Sequence, residues 1–170
     1  MLVACGVAAA GGVPAESAWG AAGLRVRDRL VWTHPDGTPL AFRPEVRVWC
    51  GPWASDVRVP SIHVLVGRRS LRGGATWWEL HAVVADVKRR RVWRLPNSFV
   101  FDHPKGAQLF AVDRTNELNS DTEESTGSIR FRRASCGRRL RLAFRVSARV
   151  GSELSDLEPL HVRGSFSASS

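Results

Sequence analysis

From Arg139 to Val150 the chain steps back and forth between guanidinium and apolar side chains. Leu140, Leu142, Phe144, Val146, Ala148 and Val150 fall on one face of an extended backbone. Arg139, Arg141, Arg145, Ser147 and Arg149 fall on the other, with only Ala143 blurring the polar set. Successive side chains of a strand point to opposite faces, so this pattern predicts a half-buried antiparallel strand. A strand covered on both faces would not accommodate the arginines. Just upstream, Ile129 and Phe131 alternate with Arg130 and Arg132, and Ala134-Ser135-Cys136-Gly137 supplies the Ser and Gly of a hairpin turn.

The same period of two recurs along the rest of the chain, and helical periodicity does not. It predicts strands over Leu24–Trp32, Glu45–Cys50, Val57–Val66, Thr76–Val87, Ser98–Asp102, Ala107–Val112 and Leu160–Ala168. Pro60 interrupts the third run of the chain, which implies an edge position or a bulge. Thr76–Val87 also fits a helix, since Trp78, His81, Ala82 and Ala85 recur at helical spacing. Its Trp and Val content and the preceding Arg72-Gly73-Gly74 turn favour a strand. Turn signals such as Pro35-Asp36-Gly37 and Pro104-Lys105-Gly106 separate the runs at short intervals. The expected fold is all-β, an antiparallel β-sandwich or closed β-barrel of about eight to ten strands. A leader rich in Ala and Gly (1–23) precedes a single domain (24–170), a size at which a real core can be buried. The polar, acidic stretch from Asp113 to Thr126 is expected to be the longest loop.

Charge is the second constraint. The formal net charge is +9, and of 25 basic side chains only Lys88 and Lys105 are lysines. Arginine suits forked contacts to phosphate or carboxylate, while the codon usage of a GC-rich bacterial genome would raise its count without any such role. Arg130, Arg132, Arg139, Arg141, Arg145 and Arg149 are expected to project from one side of the hairpin. Two accounts of them are open. They form a solvated face balanced by acids such as Glu117, Asp121, Glu123 and Glu124, or they meet nucleic acid, phospholipid headgroups, an acidic glycan or a protein. No helix-turn-helix, zinc finger or aromatic-basic RNA-binding sheet is recognisable. Arg89-Arg90-Arg91 is a second basic cluster, expected in an exposed hairpin loop.

Seven Trp and no Tyr make the aromatic set unusual. Trp49 and Trp53, at the end of a strand and in a Gly-Pro turn, are candidate stacking residues for a sugar or base; core filling is the alternative. Trp77 and Trp78 must face opposite ways if they lie in a strand. The acidic stretch offers oxygen ligands to a hard cation, but without the spacing of an EF-hand, and the metal content is left open. No cofactor is expected.

Cys5, Cys50 and Cys136 lack metal-ligand spacing. Cys50 and Cys136 are either free thiols or a disulfide that would close a long loop and contribute roughly 4 kcal/mol. Leu2-Val3-Ala4-Cys5-Gly6 has the local form of a lipoprotein processing site, yet only Met1 precedes it and the charged and apolar regions of a signal peptide are missing. As written, the chain is expected to be cytoplasmic without a transmembrane helix; with a start upstream of Met1 it is exported and anchored at Cys5.

Catalytic signatures such as HExxH, GxSxG or a P-loop are absent from the sequence. Asp102-His103 points its side chains to opposite faces, and Glu153 with Asp156 forms a second acidic turn. The expected function is therefore a non-catalytic binding module for an anionic ligand or protein partner. An enzyme with a site in a cleft or barrel mouth is the alternative, favoured if His63 or His81 sits beside an acid in a concave pocket. A cell-envelope interaction protein or lipoprotein is the third.

Overall fold

Alternating side chains carry the chain through ten β-strands and one short helix in the computed structural model, which describes residues 23–42, 45–54, 57–67, 75–97, 104–114, 116–152 and 157–170. In chain order these are β1 (Arg25–Thr33), β2 (Val46–Pro52), β3 (Pro60–Gly67), β4 (Ala75–Val83), α1 (Val84–Arg89), β5 (Val92–Leu95), β6 (Ala107–Arg114), β7 (Asn116–Asn119), β8 (Thr126–Ser135), β9 (Arg141–Ser152) and β10 (Leu160–Ser169). The pairings are antiparallel throughout. One sheet runs β1-β10-β9-β8-β5 and the other β7-β6-β4-β3-β2. Strand β9 belongs to both. Most of it lies between β8 and β10, but its last residues, Gly151 and Ser152, pair with Asn119 and Leu118 of β7. The result is an all-antiparallel, nearly closed sandwich.

The core is the sum of the inward phases. Ile129 and Phe131, Leu142, Phe144 and Val146, and Val162 and Phe166 from one sheet face Val48, Ile62, Val64, Trp78, Leu80 and Leu109 from the other. Aromatic rings bridge the layers. Phe144 stacks on Phe166 at 5.4 Å, Phe166 meets Trp78 edge-on at 5.7 Å, and Trp78 lies 6.2 Å from Trp32. Contacts of this kind add about 1 kcal/mol each to the area buried.

Cys50 and Cys136 are joined in a disulfide across 86 residues of chain, tying β2 to the turn that follows β8. The phase of β2 explains the pairing: Cys50 shares the inward face with Val46 and Val48. Closing a loop of that length removes about 4.5 kcal/mol of denatured-state entropy.

Four sequence expectations change. Thr76–Val87 divides, with strand as far as Val83 and then a helix of six residues in which Val84 and Val87 are buried at i,i+3 spacing. That helix leads from one sheet to the other. Val92–Leu95, downstream of the basic run, is a strand that buries Trp93 and Leu95 against the core. The stretch from Asp113 to Thr126 is no long loop. It contains β7 and a turn over 120–125, closed where the Ser125 and Thr122 hydroxyls donate to the Asn119 carbonyl at 2.9 and 3.0 Å. Pro60 is neither an edge nor a bulge residue but the first residue of a central strand, where its missing N–H disturbs the ladder least. Ser98–Asp102, His103, Glu153, Asp156, Cys5 and the leader before Gly23 lie outside the described residues.

Gly164 fixes how closely β1 approaches. It sits in β10 opposite Leu30 with φ at +137°, and a Cβ there would stand 2.1 Å from the Arg29 carbonyl oxygen. Only glycine allows the edge strand to dock in this register.

Candidate anion-binding face

The outward phases of β1, β10, β9, β8 and β5 can be read as rows across the sheet. One row holds Arg25, Ser169, Arg141 and Ser135; the next, Arg27, Ser167, Ala143 and Arg133. A third holds Arg29, Ser165, Arg145, Arg130 and Val92; a fourth, Val31, Arg163, Ser147, Ser128 and Arg94. The last holds Thr33, His161, Arg149 and Thr126. Every arginine in these rows is exposed. The remaining positions are Ser, Thr, Ala, Val and a single His, with no carboxylate and no aromatic ring other than that imidazole.

The spacing moderates repulsion. Most arginines face a Ser, Thr, Ala or Val on the neighbouring strand, and in these registers only Arg130 and Arg145 stand directly opposite one another. Like charges so placed cost up to about 1 kcal/mol. Along β9, Arg141, Arg145 and Arg149 recur every fourth residue, roughly 13 Å apart.

Internal pairing does not account for them. Among the described residues, arginine–carboxylate ion pairs join Arg47 to Glu45 and Arg89 to Asp86, and none of the guanidinium groups in these rows lies within ion-pair distance of a carboxylate. The turn after β7 is bonded within itself through the Thr122 and Ser125 hydroxyls. Gln108 donates to Asn119 and Asp121, and Glu123 and Glu124 are exposed.

One sequence-level placement shifts. Phe131 pairs with Phe144 and Arg133 with Ala143, so Arg132 is the extra residue of a β-bulge. The outward row is completed by Arg133, and Arg132 turns toward the helix. Arg139 lies in the turn before β9, one residue ahead of the buried Leu140.

Two grooves adjoin at this end of the sheet. The larger, about 500 Å³, is lined by Arg25, Arg27, Arg133, Arg139 and Arg141 with Ser167, Ser169 and Ser170. The second, about 390 Å³, is lined by Lys88, Arg91 and Arg132 and shares Arg133 and Arg141. A third groove of about 670 Å³ at the opposite end has Arg149 and Arg163 as its only arginines, beside His34 and His161.

Trp49 and Trp53 do not join the arginines. They stand on the outer face of the other sheet, around a buried chain of hydrogen bonds that sequence reading did not assemble. Glu79 Oε2 lies 2.9 Å from His81 Nε2, His81 Nδ1 lies 2.9 Å from His63 Nδ1, and His63 Nε2 lies 2.9 Å from the Pro52 carbonyl oxygen. Trp49 stacks on His63 at 5.1 Å and Trp53 packs against His81 at 5.4 Å. His63 and Glu79 are buried. Three hydrogen bonds between two terminal oxygen acceptors need three protons, and two neutral imidazoles carry only two. The third lies in the Glu79–His81 contact. Thus His81 donates from Nδ1 to His63, while neutral His63 donates from Nε2 to the Pro52 carbonyl. Burial first, then the charge of His81, holds the His63 imidazole down to about 4. The signal for half of this unit was Glu79-x-His81, two residues sharing one strand face; His63 enters because it is paired with His81 in the β3–β4 ladder.

His81 therefore does sit beside an acid, yet no groove described above is lined by His63, His81 or Glu79, and the imidazole nitrogens are used within the chain. Among the described residues no group of three His, Cys, Asp or Glu is disposed to hold a metal ion, and no helix is long and apolar enough to cross a membrane. Comparison with protein-family models, curated proteins and solved structures finds no match.

Proposed function

We propose that this domain is a non-catalytic binding module that takes a polyanion on the outer face of β1-β10-β9-β8-β5. The observation that carries the reading is the set of exposed guanidinium groups that no carboxylate of the described residues neutralises. Each would gain charge-assisted hydrogen bonds from a ligand oxyanion, and the serines between them add hydroxyl donors. The face lacks the aromatic platforms on which bases stack, so it would read charge and not sequence.

The Cys50–Cys136 disulfide supports an oxidising compartment for the folded domain. With those two cysteines paired, Cys5 is the odd one, and its setting in Leu2-Val3-Ala4-Cys5-Gly6 fits an exported form anchored there by lipid, with a leader upstream of Met1.

Titration of the purified domain with a fluorescent polyanion at several salt concentrations tests the binding reading. We expect affinity that falls linearly on a log–log plot against salt. Replacing Arg130 and Arg145 by serine should flatten that slope. No binding at low salt sinks the proposal.

A further inference from the structure

We infer that the adjoining grooves at the β9 start form a subsite for successive sulfate or phosphate ester groups of an extracytoplasmic glycan. This rests on the polyanion reading and names its ligand. The first groove gathers cations from four elements: Arg25 and Arg27 of β1, Arg133 of β8, Arg139 of the turn, and Arg141 of β9. Donors that converge from several directions suit a tetrahedral group with three free oxygens. A planar carboxylate is satisfied by one forked guanidinium. Ser167 and Ser169, from β10 between β1 and β9, add hydroxyls to the same space.

The bulge makes the second groove. Had β8 kept its alternation, Arg132 would have joined the outward row; the extra residue sends it instead toward Lys88 and Arg91. Arg133 and Arg141 line both grooves, so two anionic groups bound side by side would share them. One ester cannot neutralise this many cations, which points to a polymer. The site is also held in place. The turn carrying Arg139 begins at the disulfide-bonded Cys136, and it is clipped to the end of β10 by the Leu140 N–H donating to Ser170 Oγ at 2.9 Å and the Ser170 N–H donating to the Leu140 carbonyl at 3.1 Å. A glycan is favoured over nucleic acid because the face has no stacking rings and the disulfide belongs to an oxidising compartment.

The test compares Arg133→Ser/Arg141→Ser with a control pair from the far groove, Arg149→Ser/Arg163→Ser, both checked for folding by circular dichroism. The probes are dextran sulfate, phosphorylated dextran, polygalacturonate of matched charge per sugar, and a single-stranded oligonucleotide. We expect either ester dextran to bind about tenfold tighter than polygalacturonate, the stronger one identifying the ester. The groove pair should lose about tenfold in affinity and the control pair less than about threefold. Equal losses in the two pairs overturn the subsite while leaving the polyanion face intact. Equal binding of polygalacturonate overturns the ester assignment, and tighter binding of the oligonucleotide overturns the glycan. Failure of all four probes removes the polyanion reading itself.

Discussion

Acid should unfold this domain through one buried imidazole. His63 is held down to about 4, against 6.5 for an ordinary histidine, because burial and His81 both disfavour its charged form. The unfolded chain therefore takes up a proton that the folded chain refuses. Stability from this source is complete above 6.5 and is lost as the pH falls from there through 4. A displacement of that size corresponds to about 3 kcal/mol, at roughly 1.4 kcal/mol per pH unit within the window. That is a large share of the total stability of a typical domain. The geometry gives the same sign: a fourth proton on a chain of three hydrogen bonds must break the contact between the two Nδ1 atoms. The assay is urea unfolding, followed by Trp fluorescence, for the wild type and His63→Gln at pH 7.5, 5.5 and 4.5. Glutamine can donate to Pro52 and accept from His81 but does not titrate, so subtracting the two series removes the groups remote from the pair. Asp28, whose carboxyl is raised by desolvation and acts with the opposite sign, cancels in this way. The wild type should lose about 2.5 kcal/mol more than the variant between the first and last pH. Parallel losses would refute the argument.

Further outcomes follow from the same packing. At pH 7, nitrogen-resolved NMR of the imidazole rings should find His63 neutral, protonated at Nε2 alone and accepting at Nδ1. Arg130→Ser/Arg145→Ser should raise stability by up to about 1 kcal/mol in urea unfolding, since the pair stands directly opposed, while weakening polyanion binding. Gly164→Ala should cost more than about 2 kcal/mol, because the methyl group meets the Arg29 carbonyl and φ is positive; proteolysis should then cut first in β1. Replacing Cys50 and Cys136 by serine should lower stability by about 4 kcal/mol and reduce affinity for dextran sulfate, the turn carrying Arg139 having lost its anchor.

Legibility in the sequence followed the length and regularity of each run. The alternation from Leu140 to Val150 is long enough to fix the strand, its buried phase and its partner. Four-residue strands are different. Leu118 is the single buried side chain of β7, and one apolar residue makes no period. Val92–Leu95 was masked by the basic residues before it. The bulge had left a trace, in that Phe131 and Ala134 stand three apart and not two, with Arg132 and Arg133 between them. For the candidate site, the exposed phase of β8 and β9 was readable, but the contributions of β1 and β10 depend on strand order, which no local pattern encodes. Arg25, Arg27, Arg29 and Arg163 entered only with the registers. The account in which the acidic segment balances the arginines fails for a related reason. Asn116–Asn119 pairs with β6, so the segment before the turn belongs to the other sheet.

The position of β9 has a mechanical consequence. It carries three of the outward arginines, has ladders on both flanks over most of its length, and ends in the opposite sheet. Its hydrogen bonds run perpendicular to the strand. A long molecule gripped along β9 and tugged along the strand would load both ladders in shear, so that many bonds must fail together and not one after another. Such a load would pass through Gly151 and Ser152 to β7 and the second sheet. A pull along β9 would therefore meet more resistance than peeling at the edge strand β1.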